Sequence, residues 1–348
     1  MDTSSGMVMS SGAGWAFIIA AAVVVASAWL GWSGRRRRRL LRSSFAPSDG
    51  TTTVRLHAFP RLEGSIGMSV PCAKVETWLR LNRIPYEICF TLDPTSVSPT
   101  GRLPCVEWQG QRLVESSEII SRLAREFRIA ATSSSSSRGI ATDGGGTGRP
   151  EATAAMSTAD ARGLLLQRLV EESARWAFGR HFYVDNFEYC ARLYARGLQP
   201  LPLWCIRVIL YFMLRRKAIA ACNSHGMGDM THEQYHDAFL RDVQCLEAML
   251  SPSPHGDGDD EHPPPLTMVY ANGSSCMSEY DGAVFGFLNN ILANEIATDI
   301  PCPAFSFVKN SHVLNHYYRT IRKNLFPDWD RITSLVAVRA KSQQFVDF

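Results

Sequence analysis

No two of the nine cysteines in this chain are spaced C-x-x-C, and none stands at a metal-ligand spacing from its neighbours. Their scatter and odd number exclude a disulfide scaffold, a zinc ribbon and a dithiol redox motif. In a cytosolic protein such cysteines are reduced, and most serve as small buried hydrophobes. Strong net charge is missing too: 36 Lys+Arg stand against 33 Asp+Glu, a formal +3. The first 42 residues hold six Arg and one Asp, so the remainder carries 30 against 32, or −2. That balance gives no reason to expect nucleic-acid binding. Positive charge is also missing ahead of the first apolar run, where only Asp2 stands. The usual layout of a cleaved signal peptide is therefore excluded.

What is present begins with that run. Residues 15–32 are uncharged, apolar and bracketed by tryptophans, at the short end of a spanning helix. Arg35 to Arg39 and Arg42 follow at once. The positive-inside rule places everything after Trp32 in the cytosol, with the arginines at an anionic leaflet. A nuclear-type basic cluster or an amphipathic targeting segment is the alternative, and the uninterrupted apolar run argues against both. The expected localisation is a single-pass membrane protein of the endoplasmic reticulum or the mitochondrial outer membrane, main domains cytosolic.

Residues 51–129 read as the first domain. VRLHAFPR (54–61) alternates as a strand, and 71–83 carries apolar residues at helical spacing. PYEICFTL (85–92) is strand-like, 105–115 is a hairpin turning at Gly110, and 116–127 is an amphipathic helix opened by serine. This β-α-β-loop-β-β-α order is that of a thioredoxin-like half-domain. The Leu103-Pro104 bond just before a strand is a candidate cis peptide. Leu103 would offer its backbone N–H and C=O to an extended peptide, and Ser116 and Ser117 would offer helix N-terminal N–H groups to an anion. Together they suit a γ-glutamyl peptide; singly, each is an ordinary turn proline or N-cap serine.

The pattern S-P-T-G-R-L-P (98–104) followed by E-S-x-x-I (115–119) resembles the N-terminal domain of glutathione transferases. SVPCAKVETWLRL (69–81), with Cys72, Lys74 and Glu76-Thr77-Trp78-Leu79-Arg80, is closer still to the failed-axon-connections family and its metaxin relatives. The resemblance implies an all-α glutathione-transferase-like C-terminal domain behind the thioredoxin-like one. It implies glutathione as the candidate ligand, held by Arg102, Leu103, Pro104, Glu115 and Ser116. It also implies protein partners for the helical face.

The rest of the chain fits that layout. A Ser- and Gly-rich stretch, 130–158, is a flexible linker, and 159–348 is helical with a polar insertion at 251–265. Residues 201–221 read as a buried core helix, with contact at a membrane surface as the alternative. Ser278 and Asp281 form a capping-box spacing ahead of an apolar helix. Residues 311–329 resemble the family's final helix.

Two residues are candidates for thiol chemistry at the first helix of the sheet domain. Ser69 sits where the family places its catalytic serine or cysteine, and its hydroxyl can donate to a thiolate; its plain role is N-cap to Cys72, since Pro71 has no N–H. Cys72 lies in the first turn, where the helix N-terminus lowers a thiol's pKa; its plain role is packing beneath the helix. His232-Glu233-x-x-His236 matches H-E-x-x-H but lacks a third ligand, and Thr231 reads as a surface N-cap, so no metal is expected there. Two functions stand: a membrane-anchored binding or interaction protein with weak or no catalysis, or a glutathione transferase or thiol-dependent reductase using Ser69 or Cys72. The anchor, the insertions and Val70-Pro71 at the helix start favour the first.

Overall fold

The computed structural model describes residues 53–129, 156–197, 202–252, 269–293, 299–340 and 344–346. The expected anchor at 15–32, nearly all of the linker 130–158 and most of the insertion 251–265 lie outside the described residues. Among the described residues no helix is long and apolar enough to cross a membrane.

The sheet half follows the predicted order: β1 (Val54–Ala58), α1 (Val70–Leu81), β2 (Tyr86–Phe90), β3 (Cys105–Trp108), β4 (Gln111–Val114) and α2 (Ser116–Glu126). β1 is central and almost wholly buried, pairing parallel to β2 and antiparallel to β3. The parallel pair needs the crossover that α1 makes. Gln109 and Gly110 close the β3–β4 hairpin with φ of 48° and 74°, the pair of positive values a type I′ turn requires. The sheet has a fifth member, β5 (Gln344–Val346), pairing antiparallel with β2 at the end of the order β4-β3-β1-β2-β5. Three residues carry no readable period, so the sequence offers no sign of β5.

In the helical half, α3 (Thr158–Arg168) continues through a π-helical stretch (Leu169–Ala174) into α4 (Arg175–Gly179) and a second one (Arg180–Asp185). There follow α5 (Phe187–Gly197), α6 (Leu203–Leu210), α7 (Arg216–Ser224), α8 (His232–Leu250), α9 (Asp281–Leu292), α10 (Pro303–Asn310), α11 (His312–Leu325), α12 (Trp329–Thr333) and α13 (Leu335–Ala340). One expectation is corrected. The segment read as a buried core helix buries only Ile206 and Leu210 within α6, leaving Trp204 59% and the following Phe212 49% exposed. Its apolar residues are not spaced to face one neighbour, so most of them meet solvent. The expected capping box is half formed: the Asp281 carboxylate accepts the Ser278 N–H at 2.6 Å, but the Ser278 hydroxyl also donates to it rather than capping the helix. The same carboxylate takes the Ala271 N–H and the Tyr317 hydroxyl.

Helix α1 belongs to both halves. Cys72, Val75, Trp78 and Leu79 pack into the sheet core, whereas Val70 and Ala73 pack into the helical core. Helix α9, buried from Asp281 to Ile291 and mostly apolar, lies against α1. A Cβ on Gly286 would stand 2.8 Å from Ala73 Cβ and 3.2 Å from the Val70 carbonyl oxygen; one on Gly282 would stand 2.9 Å from the Lys74 carbonyl oxygen. Gly286→Ala should gain up to about 1 kcal/mol of helix propensity and lose roughly 1–3 kcal/mol to overpacking against backbone that cannot yield. Urea denaturation should therefore show a net loss for Gly286→Ala and Gly282→Ala. Gly179→Ala, whose Cβ meets nothing within 4 Å, should be neutral or stabilising. Equal stability of all three variants would contradict this packing.

Candidate functional site

The start of α1 is set by the helical half. Asn289 Nδ2 donates to Ser65 Oγ at 3.0 Å and to the Gly67 carbonyl at 2.9 Å, and Asn290 Nδ2 donates to the Met68 carbonyl at 3.1 Å. This holds the loop ahead of Ser69, whose extended backbone (φ −95°, ψ 102°) suits an N-cap. The Ser69 oxygen accepts the Cys72 N–H at 3.4 Å, and Pro71 has no N–H to compete. Cys72 is buried, and its thiol behaves opposite to expectation: burial pushes it up to about 11, outweighing hydrogen bonds from Ser69 and the Phe59 backbone. A helix N-terminus lowers a thiol's pKa only where water or a cation can also reach it.

The second part of the site gathers at the start of α2. Leu103-Pro104 is cis, as predicted, with Leu103 buried in the sheet core. Glu115, the residue before α2, has φ 65° and ψ 119°, a strained backbone for any side chain but glycine. It makes no side-chain cap, so the first N–H groups of α2 carry none, and its carboxylate lies 4.0 Å from the exposed Arg102 guanidinium. Lys74, buried in the middle of α1, reaches Ser117 Oγ at 2.9 Å and Glu171 Oε1 at 3.0 Å, joining α1, α2 and the helical half. Burial draws its ammonium below the usual lysine range against the pull of Glu171. Arg175, at the start of α4, has a buried Nε without a hydrogen-bond partner. Burial lowers its pKa against the pull of the Glu172 and Glu171 carboxylates, and the like charge of Arg102 adds a smaller push in the same direction as burial. Arg102, Lys74 and Arg175 thus gather near the uncapped start of α2 with Glu115, Glu171 and Glu172 among them, and the unpartnered Arg175 Nε and the helix start are the groups that suit an anionic ligand.

A profile of the glutathione S-transferase N-terminal domain matches residues 70–143. Failed axon connections of Drosophila melanogaster is 25% identical over 301 residues, covering 82% of this chain and 61% of that protein. The chain is similar to failed axon connections and, over residues 70–143, to the glutathione S-transferase N-terminal domain. It spans less than two thirds of that relative's length. Among solved structures, a delta-class glutathione transferase of Nilaparvata lugens is 13% identical, with 83% of this chain and 100% of that one covered and a TM-score of 0.39. Human glutathione-S-transferase T1-1 in its apo form is 12% identical, with 83% and 90% covered and a TM-score of 0.40.

Of the residues expected at the site of this glutathione-transferase-like chain, Arg102 and Glu115 meet each other, and Ser69 meets Cys72. Ser116, half-buried, opens α2 beside Ser117, the serine that Lys74 touches. Lys74, Arg175, Asn289 and Asn290 have no role in the sequence reading. Lys74 stands within the motif already singled out, so a buried lysine there was open to discovery; Arg175 and the asparagines act only through tertiary contact. The protonated Cys72 makes a direct test possible. Brief alkylation at neutral pH should modify exposed Cys245 and Cys276 well before Cys72, which should react appreciably only as pH nears 11. Early modification of Cys72, read by peptide mass spectrometry, would contradict the burial argument.

Proposed function

We propose that this chain is a membrane-anchored, cytosol-facing protein of glutathione-transferase fold that binds glutathione or a related thiol peptide and engages protein partners, with weak or no transferase turnover. The observation that carries the reading is the Cys72 thiol, which is buried and protonated at neutral pH. The Ser69 oxygen accepts the Cys72 N–H as a helix cap and keeps its own O–H as the one donor of the pair. A thiolate-activating site needs a free donor or a low-pKa thiol. The binding part is better provided for: Arg102 and Arg175 supply positive charge, and Ser116 with the uncapped start of α2 supplies donors for a γ-glutamyl carboxylate.

The anchor at 15–32 with its following arginines supports membrane attachment, on the endoplasmic reticulum or the mitochondrial outer membrane. The exposed Leu203, Trp204, Val208 and Phe212, flanked by Arg207, Arg216 and Lys217, would suit the same anionic leaflet. The catalytic alternative rests on Ser69 being half-exposed at the start of α1.

Glutathione titration by calorimetry separates these readings. The wild type should bind, and Arg102→Ala and Ser116→Ala should each weaken binding by about tenfold or more through loss of a charge-assisted contact. Turnover with an electrophilic acceptor should be weak or nil, and Ser69→Ala should cost only the cap, ~0.5–2 kcal/mol of stability. Robust wild-type turnover abolished by Ser69→Ala would establish the enzyme instead. Protease added to intact vesicles should digest the main domains; their protection would overturn the topology.

A further inference from the structure

Far along the chain from Arg102, three side chains with metal-ligating atoms converge within the helical half. His181 lies in the π-helical stretch Arg180–Asp185, His236 in the second turn of α8, and Cys302 at the N-cap of α10. One ligand atom from each lies within 4.8 Å of the other two. The imidazoles stand closer still, His181 Nδ1 to His236 Nε2 at 3.2 Å. A tetrahedral zinc ion with bonds of about 2.0–2.1 Å to nitrogen holds two such nitrogens about 3.3 Å apart. The pair is therefore already set at the edge length of a zinc site.

We propose that His181, His236 and Cys302 bind a zinc ion, with water completing the tetrahedron on the half-exposed side of His236. Cys302 is 2% exposed at the N-cap of α10, and zinc would take its sulfur as the thiolate by displacing the proton. The other ring nitrogen of His181 lies 3.4 Å from Asn186 Nδ2, a donor, so a zinc-bound His181 with its proton on Nε2 requires the Asn186 amide to turn its oxygen toward the ring. Tyr235, whose hydroxyl is 3.2 Å from His181 Nδ1, donates to Asp185 Oδ2 at 2.6 Å, and Arg180 lies 3.8 Å from the same carboxylate oxygen. A shared hydrogen bond between neutral imidazoles explains the histidine pair alone. It does not explain why a cysteine sulfur converges on them.

The site is not the zinc-protease arrangement that H-E-x-x-H brings to mind. His232 is 70% exposed, with its Nδ1 3.8 Å from Asp185, and takes no part in the cluster. Glu233 is exposed on the helix surface. The ligands come instead from three separate segments, so the ion would tie the Arg180–Asp185 stretch, α8 and the start of α10 together. Its role is that of a structural staple within the helical half, independent of what binds near Arg102.

Full-length protein stripped with a chelator and titrated with zinc alone should take up one ion per chain. Cobalt in its place should give a thiolate charge-transfer band that is absent in Cys302→Ser. Loss of one direct ligand should cost at least what loss of an outer partner does, so His236→Ala and Cys302→Ser should weaken zinc binding by roughly 100-fold or more. His316→Ala, at an exposed position on α11, should leave it unchanged. Zinc should raise the thermal midpoint of the wild type and not of the two ligand variants. Should Cys302→Ser fail to fold, His236→Ala, at a half-exposed position, decides the matter through its metal-free circular dichroism and zinc titration. Absence of stoichiometric binding, or binding indifferent to both substitutions, would overturn the proposal.

Discussion

The close approach of α9 to α1 governs this molecule. Two helices bring backbones into contact only where side chains are missing, and Gly282 and Gly286 provide the missing Cβ atoms one turn apart. Because α1 also forms one layer of the sheet half, that contact joins two cores through a single helix. A helix so enclosed has no solvent face, and its polar residues must find partners within the protein.

They do so in a chain of buried charges. Arg61 makes a two-pronged contact with Glu76, at 2.7 Å and 3.3 Å, and the Tyr86 hydroxyl donates to the same carboxylate at 2.7 Å. Arg80 donates to Tyr86 and, across to the helical half, to Asp328 at 2.7 Å and to the Leu325 carbonyl. Its guanidinium also stacks over Phe326, 4.4 Å from the ring centre. Burial works to raise the Glu76 carboxyl, but the Arg61 and Arg80 guanidiniums outweigh it and hold it below the usual range. Removing one member of such a pair costs about 3–5 kcal/mol because the survivor is left charged and dry. The network thus specifies how the halves fit together more than it adds to net stability. It explains why E-T-W-L-R appears as a block: Glu76 and Arg80 point into the network, whereas Trp78 and Leu79 fill the sheet core.

The same enclosure bears on function. A helix pinned on both sides presents its first turn in one orientation, with the half-exposed Ser69 as its cap and Cys72 packed away from water. The mixed charges of Arg102, Glu115, Lys74, Glu171 and Arg175 draw on both halves. Much of this was legible from the chain. The alternation of β1, the hairpin turning at Gly110, the cis bond before Pro104 and the Ser69 cap all rest on local rules, and local rules survive without tertiary knowledge. What was not legible depends on partners remote in sequence. Asn289 and Asn290 read as ordinary polar residues until they meet a loop 222 positions away. Helix α6 read as core because its composition is apolar, and only packing shows which of its sides has a neighbour. His236 looked like half of an empty motif because its companions, His181 and Cys302, lie in other elements.

Native-state hydrogen exchange tests the central claim most directly. If α1 and α9 are joined through glycine contacts and buried charge, their amides should exchange through a common opening. Val70–Leu81 and Asp281–Leu292 should share one opening free energy, close to that of global unfolding, and Asp328→Ala should lower both together. If α1 instead opens with the sheet while α9 stays protected, the two halves are separate units, and the enclosed helix is not what holds the site.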